Sequence, residues 1–277
     1  MKTILIPTED HDCMPSVLET ALLMARTYDS YMEGFAIRPA VGTYVTVEPV
    51  SSLAISGAFD EDTAREAQAV FEKFMQDKGV PRATGDGPAT VGWAWPRTEA
   101  IDDAALGSYG RVFDLIVLGR PGRDVENPRM APLEAALFES GKPALIVPKT
   151  APAVMGRNIL VAWNGSTEQA HTNTCAMPLL KRAEKVTVLA SEGHIGDGPG
   201  AEQAAMHLRR NGVNATALTV KTGDRTTGEV ILDHAASLGC DLLVKSAYTQ
   251  SRLRQMIFGG ATRHILAHAS IPVLMAH

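Results

Sequence analysis

The chain has 277 residues, a length that suits two α/β domains or one large one. Hydrophobic residues make up 45% and charged residues 21%, a globular balance rather than a disordered one. A net charge of −5 excludes the strong basic surplus of a general nucleic-acid binder, and no apolar run approaches the roughly 18–20 residues that span a bilayer. Cys13, Cys175 and Cys240 are too far apart for a paired metal motif and too few for a disulfide framework. The apolar start at Met1–Pro7 is too short for a secretory signal, so a reducing cytoplasm is the expected location. Charge is uneven along the chain: residues 1–150 carry 14 basic and 22 acidic side chains, and residues 151–277 carry 12 and 9. The first stretch therefore repels phosphates at long range and the second does not.

In chain order, apolar runs predict strands at Thr3–Pro7, Tyr31–Ile37, Thr90–Trp93, Leu115–Leu118 and Ala144–Val147. Helical patterns fall between them at Pro15–Tyr28, Asp60–Lys78, Thr98–Tyr109 and Ala131–Ser140. Pro39–Phe59 lacks helical periodicity and reads as an insertion. The series then starts again. Strands are predicted at Asn158–Trp163, Lys185–Ala190, Ala215–Val220, Leu242–Lys245 and Pro272–Met275, and helices at Thr167–Arg182, Pro199–Asn211, Thr226–Leu238 and Gln250–His268.

The second series matches the first in order. Lys2–Pro7 pairs with Arg157–Ala162, Asp114–Leu118 with Asp241–Lys245, and Lys142–Val147 with Ile271–Met275. The chain therefore reads as a tandem duplication, with domains at 1–150 and 151–277 joined near Pro148 and Pro152. Strands without polar alternation are buried on both faces, as in a parallel sheet covered by helices. The expected fold class is α/β, with two doubly wound domains. In such sheets ligands sit beyond the carboxyl ends of the strands, so the loops after the first and fourth strands matter most.

After the first strand, Asn164-Gly165-Ser166-Thr167 forms a turn and a helix cap; the corresponding loop of the first copy carries Glu9. After the fourth strand, the first copy has Gly119-Arg120-Pro121-Gly122. The second has Ser246-Ala247-Tyr248-Thr249, then Gly259-Gly260-Ala261-Thr262 after a further nine residues. With Ser251-Arg252-Leu253-Arg254 and Ile271–Met275, these segments make the chain resemble the universal stress protein family in its tandem form, over nearly its whole length. The resemblance implies five parallel strands per domain in the order 3-2-1-4-5. It also implies a pseudo-dimer through the last strands, with a further homodimer left open.

Nucleotide-binding members of that family carry an acid after the first strand. After the fourth they carry Gly, two residues, Gly, nine residues, and Gly followed by Ser or Thr. Glycines let backbone amides approach phosphates closely, and a hydroxyl at a helix start adds another donor. The first copy keeps Gly119 and Gly122 but has Pro132-Leu133 in place of Gly-Ser, and Glu9 for the usual Asp. The second has Ser246 and Thr249 for the first two glycines, keeps Gly259 followed by Gly260, and has Asn164 for the acid. Arg252, Arg254 and Arg263 add favourable charge there, and Thr262 adds a hydroxyl.

The expected function is a non-enzymatic cytoplasmic stress protein that binds ATP, another adenine nucleotide or another small ligand at the second domain. An interaction scaffold with decayed sites is the alternative. Weak hydrolysis around Asn164, Ser246 and Thr249 is a third reading, for which no base is positioned. No P-loop and no nucleophile elbow occur. His264 and His268 share a helical face but lack a third ligand, so no metal is expected. Trp93 and Trp95 read as packing, with a ligand-lining role alongside Tyr44 or Phe59 as the alternative. Acids around Cys13 argue against a reactive thiol.

Overall fold

The computed structural model describes residues 1–39, 61–122, 124, 126–192, 198–247 and 259–277, together with the backbone of 52–60. It divides into two compact units, Met1–Lys142 and Pro143–His277.

The first unit runs β1 (Thr3–Thr8), α1 (Met14–Tyr28), β2 (Tyr31–Arg38), α2 (Ser52–Asp77), β3 (Gly92–Ala94), β4 (Ile101–Asp102), α3 (Asp103–Gly110), β5 (Leu115–Gly119) and α4 (Met130–Glu139). Its strands lie in the order β3-β2-β1-β5 and all pair in parallel. Ile4, Leu5 and Ile6 of β1 are completely buried, as are Leu115, Ile116 and Val117 of β5. Consecutive rather than alternating burial is the mark of a strand covered on both faces. Glycine at position 34 of β2 makes room for an aromatic cluster. A Cβ there would fall 2.6 Å from the Phe71 ring, which packs edge-on to Trp93 and tilted against Trp95. Both tryptophans are thus core residues, packed on Phe71; of the insertion they are expected to pack against, the side chains of residues 40–59, Tyr44 and Phe59 included, lie outside the described residues.

The second unit runs β6 (Ala144–Val147), β7 (Asn158–Ala162), α5 (Thr167–Leu180), β8 (Lys185–Ser191), α6 (Ala201–Arg210), β9 (Ala215–Val220), α7 (Thr227–Ser237), β10 (Leu242–Val244), α8 (Gly260–His268) and β11 (Val273–Met275). Strands β9-β8-β7-β10-β11 pair in parallel, in the expected 3-2-1-4-5 order. Strand β6 adds to this sheet antiparallel to β11, with Ile146 opposite Val273.

The duplication extends to individual hydrogen bonds. The carboxylate of Asp114 accepts the amides of Lys2 and Thr3, at the start of β1. The carboxylate of Asp241 accepts those of Gly156, Arg157 and Asn158, at the start of β7. Each aspartate opens one of the matched sequence blocks and pins the central strand of its own sheet to the neighbouring strand.

Three boundaries differ from expectation. Ala144–Val147 groups with the second unit, so the division falls at 142/143 rather than 150/151. The helix expected from Thr98 begins at Asp103, because Ile101–Asp102 first forms a short strand on β2 and Asp102 then caps the helix through the Ala105 amide. Helix α2 starts at Ser52, eight residues before the expected Asp60, so part of the apparent insertion is helical. Of the helix expected over Gln250–His268, the described part is Gly260–His268.

Candidate functional site

The loops that follow the strands build two very different mouths. In the second unit, the carboxyl ends of β7, β8 and β10 and the first turns of α7 and α8 enclose a cleft of about 350 Å³. Its walls include Trp163, Leu189, Ile231 and Ala247; its polar lining includes Asn164, Ser191, Lys245 and Thr262.

The β7–α5 turn is held by its own side chains. Asn164 Oδ1 accepts the Ser166 amide, and Ser166 Oγ caps α5 by accepting the Gln169 amide. Gly165 supplies the positive φ of 77° that this turn needs. The next loop closes down on it, since a Cβ on Gly198 would fall 2.2 Å from the Gly165 carbonyl oxygen. Trp163 is anchored through an indole N–H donated to the Pro199 carbonyl at 2.7 Å. Asn164 therefore faces the cleft, while Gly165 and Ser166 shape the turn behind it.

Gly259 caps α8, and Gly260 and Thr262 lie in its first turn; all three line the cleft. The first amides of a helix have no partner within it, so this end presents donors and partial positive charge. Ser246 contributes differently from expectation. Its backbone amide is taken by Gln169 Oε1 at 2.7 Å, and the next amide, that of Ala247, by the Ala276 carbonyl at 2.9 Å. Neither is available to cradle a phosphate. The Ser246 hydroxyl is buried without a partner among the described residues. Thr249, Arg252 and Arg254 lie outside the described residues. Helix α8 is seated against α7 at Gly228, where a Cβ would fall 2.8 Å from His264 Cβ and 3.0 Å from the Ala261 carbonyl. Gly228→Val is expected to destabilise the fold by about 1–3 kcal/mol through this clash, checked as a lowered urea midpoint.

The sequence reading missed the most unusual group in this cleft. Lys245, just past β10, is 8% exposed, and its Nζ donates to the Ser246 carbonyl at 2.9 Å and to Thr262 Oγ1 at 3.0 Å. Burial pushes its ammonium down from 10.5 to about 8. A signal was present: a lysine stands at the end of Leu242-Leu243-Val244, where the matching block of the first copy has Leu118.

The mouth of the first unit is filled by protein. Arg129, just before α4, donates to Glu9 Oε1 at 2.5 Å and clasps the Asp103 carboxylate with two hydrogen bonds of 2.6 and 2.9 Å. Burial raises Glu9 above the usual carboxylate range, although Arg129 pulls the other way. Burial also opposes the charge of Arg129, but the hydrogen bonds it donates to both carboxylates outweigh it and hold the guanidinium protonated. The glycines whose spacing suits a phosphate are packed against side chains instead. A Cβ on Gly119 would meet Pro128 at 2.6 Å and Cys13 at 2.9 Å, and one on Gly122 would meet Asn127 at 1.8 Å. The remaining space is about 10 Å³, less than a ligand needs. Cys13 is pushed up to about 11, by burial first and then by Asp12, which makes it a poor nucleophile.

Comparison with known proteins bears on the fold that carries these two mouths. Residues 190–277 match the universal stress protein family. A universal stress protein of Synechocystis sp. is 26% identical over 173 residues, covering 58% of this chain and 57% of that protein; the chain thus spans little more than half of that relative's length. A universal stress protein from Archaeoglobus fulgidus shares the fold at a TM-score of 0.73, with 12% identity over 99% of this chain and 97% of that one. A Pseudomonas aeruginosa protein of unknown function aligns at a TM-score of 0.56, with 14% identity over 100% of this chain and 92% of its own. Sequence match in the second unit and fold over the full length coincide: residues 190–277 match the universal stress protein family, and the whole chain shares the fold of a solved universal stress protein.

Proposed function

We propose that this chain is a non-enzymatic, cytoplasmic stress protein whose second unit binds a small molecule, with an adenine nucleotide such as ATP or AMP as the first ligand to test. One observation carries the reading: the second unit keeps a cleft of about 350 Å³ at the carboxyl edge of its parallel sheet, where ligands of doubly wound folds bind. Supporting it are the amide-presenting start of α8 at Gly259–Thr262 and the Asn164 side chain on the opposite lip. Lys245 is the titratable group among the described residues lining the cleft, and no described carboxylate or imidazole stands beside it there to serve as a base, which supports binding rather than hydrolysis. Among the described residues, no helix is long and apolar enough to cross a membrane.

Equilibrium dialysis with ATP, AMP and adenosine tests the ligand. Saturable binding of one molecule per chain is expected, weakened by substitution at Asn164. No saturable binding at millimolar ligand removes the nucleotide part of the reading.

The first unit favours the scaffold reading for itself, because the Glu9–Arg129–Asp103 cluster fills the place where a ligand would sit. It would then contribute surface rather than a binding site.

A further inference from the structure

Lys245 poses a problem of charge. Its ammonium has three N–H donors, and the described residues supply two acceptors, both neutral: a carbonyl and a hydroxyl. Among the described residues no carboxylate pairs with it. Buried charges are ordinarily paired, because an isolated one forfeits its hydration without return. The same cleft holds a second unsatisfied group, the Ser191 hydroxyl at the end of β8, 4% exposed and without a partner among the described residues. Both line a space whose remaining walls, Trp163, Leu189, Ile231 and Ala247, are largely apolar.

We propose that the second-unit cleft takes an amphipathic monoanion, a carboxylate on an apolar or aromatic body, whose acid group inserts among the strand ends and pairs with Lys245 while its body lies against Trp163, Leu189 and Ile231. The inference rests on the reading that this cleft is the ligand site, but it names a different recognition chemistry. The anchor is a side-chain cation at the strand ends, where the amides of Ser246 and Ala247 are already engaged. A single buried cation neutralises a single negative charge; a fully buried dianion would leave one charge uncompensated. The Ser191 hydroxyl supplies a further donor to an oxygen of the acid group, and Thr262 keeps its bond to the Ala247 carbonyl when Lys245 turns to the ligand.

The test uses the full chain and three probes of one shape: naphthoate, its neutral isostere naphthamide, and naphthyl phosphate, followed by calorimetry at about pH 7. Naphthoate is expected to bind saturably and at least about tenfold more tightly than naphthamide, the usual worth of a hydrogen bond to a charged group. Naphthyl phosphate is expected to bind more weakly than naphthoate. Lys245→Met should remove the preference for the acid while leaving naphthamide affinity unchanged, and Ser191→Ala should reduce naphthoate affinity by a smaller factor. Equal affinities of naphthoate and naphthamide for the wild-type chain overturn the proposal, as does a preference that survives in Lys245→Met or the absence of any naphthoate binding. The wild-type comparison needs no variant to fold. Saturable AMP binding without acid discrimination would sink this inference and spare the nucleotide reading. Acid discrimination without AMP binding would do the reverse.

Discussion

Lys245→Met is expected to make the second unit more stable, by about 2 kcal/mol at neutral pH. The lysine sits at about 8 instead of 10.5 because burial disfavours its charge. A shift of that size corresponds to roughly 3 kcal/mol of folding free energy lost to keeping the group protonated. Methionine has similar length, no charge and enough flexibility to fill the same space. Losing the two hydrogen bonds to Ser246 and Thr262 returns about 1 kcal/mol of the gain. The pH dependence has a definite sign. Between about 8 and 10.5 the unfolded chain holds this proton and the folded chain releases it, so the wild type gains stability as pH rises through that window. The variant has no such group, so its advantage shrinks as the solution approaches pH 10. Urea midpoints of both proteins at pH 7 and pH 10 check this. A variant less stable than wild type at pH 7 would mean that the ammonium is well compensated, and the case for an anionic ligand would lose its basis.

Arg129→Met should act in the opposite direction, costing about 3 kcal/mol in the first unit. The arginine bridges two carboxylates whose side chains are 19% and 10% exposed, and removing it leaves two like charges facing each other with little water. Breaking a buried pair from one side is among the more damaging single changes, and partial exposure puts this case at the lower end of that range. Acid should relieve the deficit. Glu9 already titrates above its ordinary 4.5, so its charge opposes folding above that value and ceases to do so below it. The difference from wild type is thus expected to be largest near neutrality and smaller below about pH 4.5. Thermal melts across that range measure it. An unchanged melting temperature at pH 7 would show that the cluster contributes nothing. The substitution should not create a second ligand site, because Pro128 and Asn127 still occupy the space beside Gly119 and Gly122; ligand stoichiometry in calorimetry would reveal otherwise.

These two residues mark where sequence reading stops. Unbroken apolar runs such as Ile4-Leu5-Ile6 and Ile159-Leu160-Val161 announce strands buried on both faces, because burial follows local pattern. Their repetition in the same order announces two sheets of the same topology. The Asn164-Gly165-Ser166 turn announces a capped loop, because it is a conformation of a few consecutive residues. The start of α3 was less legible, since Ile101–Asp102 pairs with Ile37 and Arg38 more than sixty residues earlier, and that pairing competes with helix at a position where local propensity favours either.

The amino-acid order alone therefore determined that this chain would fold twice into parallel sheets and would open each at the same edge. It could not determine which opening is empty. Gly119 and Gly122 have the right spacing, yet whether a glycine faces a ligand or another side chain depends on residues brought to it from elsewhere in the chain, here Pro128, Asn127 and Cys13. Glu9 meets Arg129 across 120 residues of sequence, and Lys245 meets no carboxylate at all among the described residues. Folding in three dimensions decides such questions, because hydration and charge pairing are set by neighbours in space, while periodicity is set by neighbours along the chain.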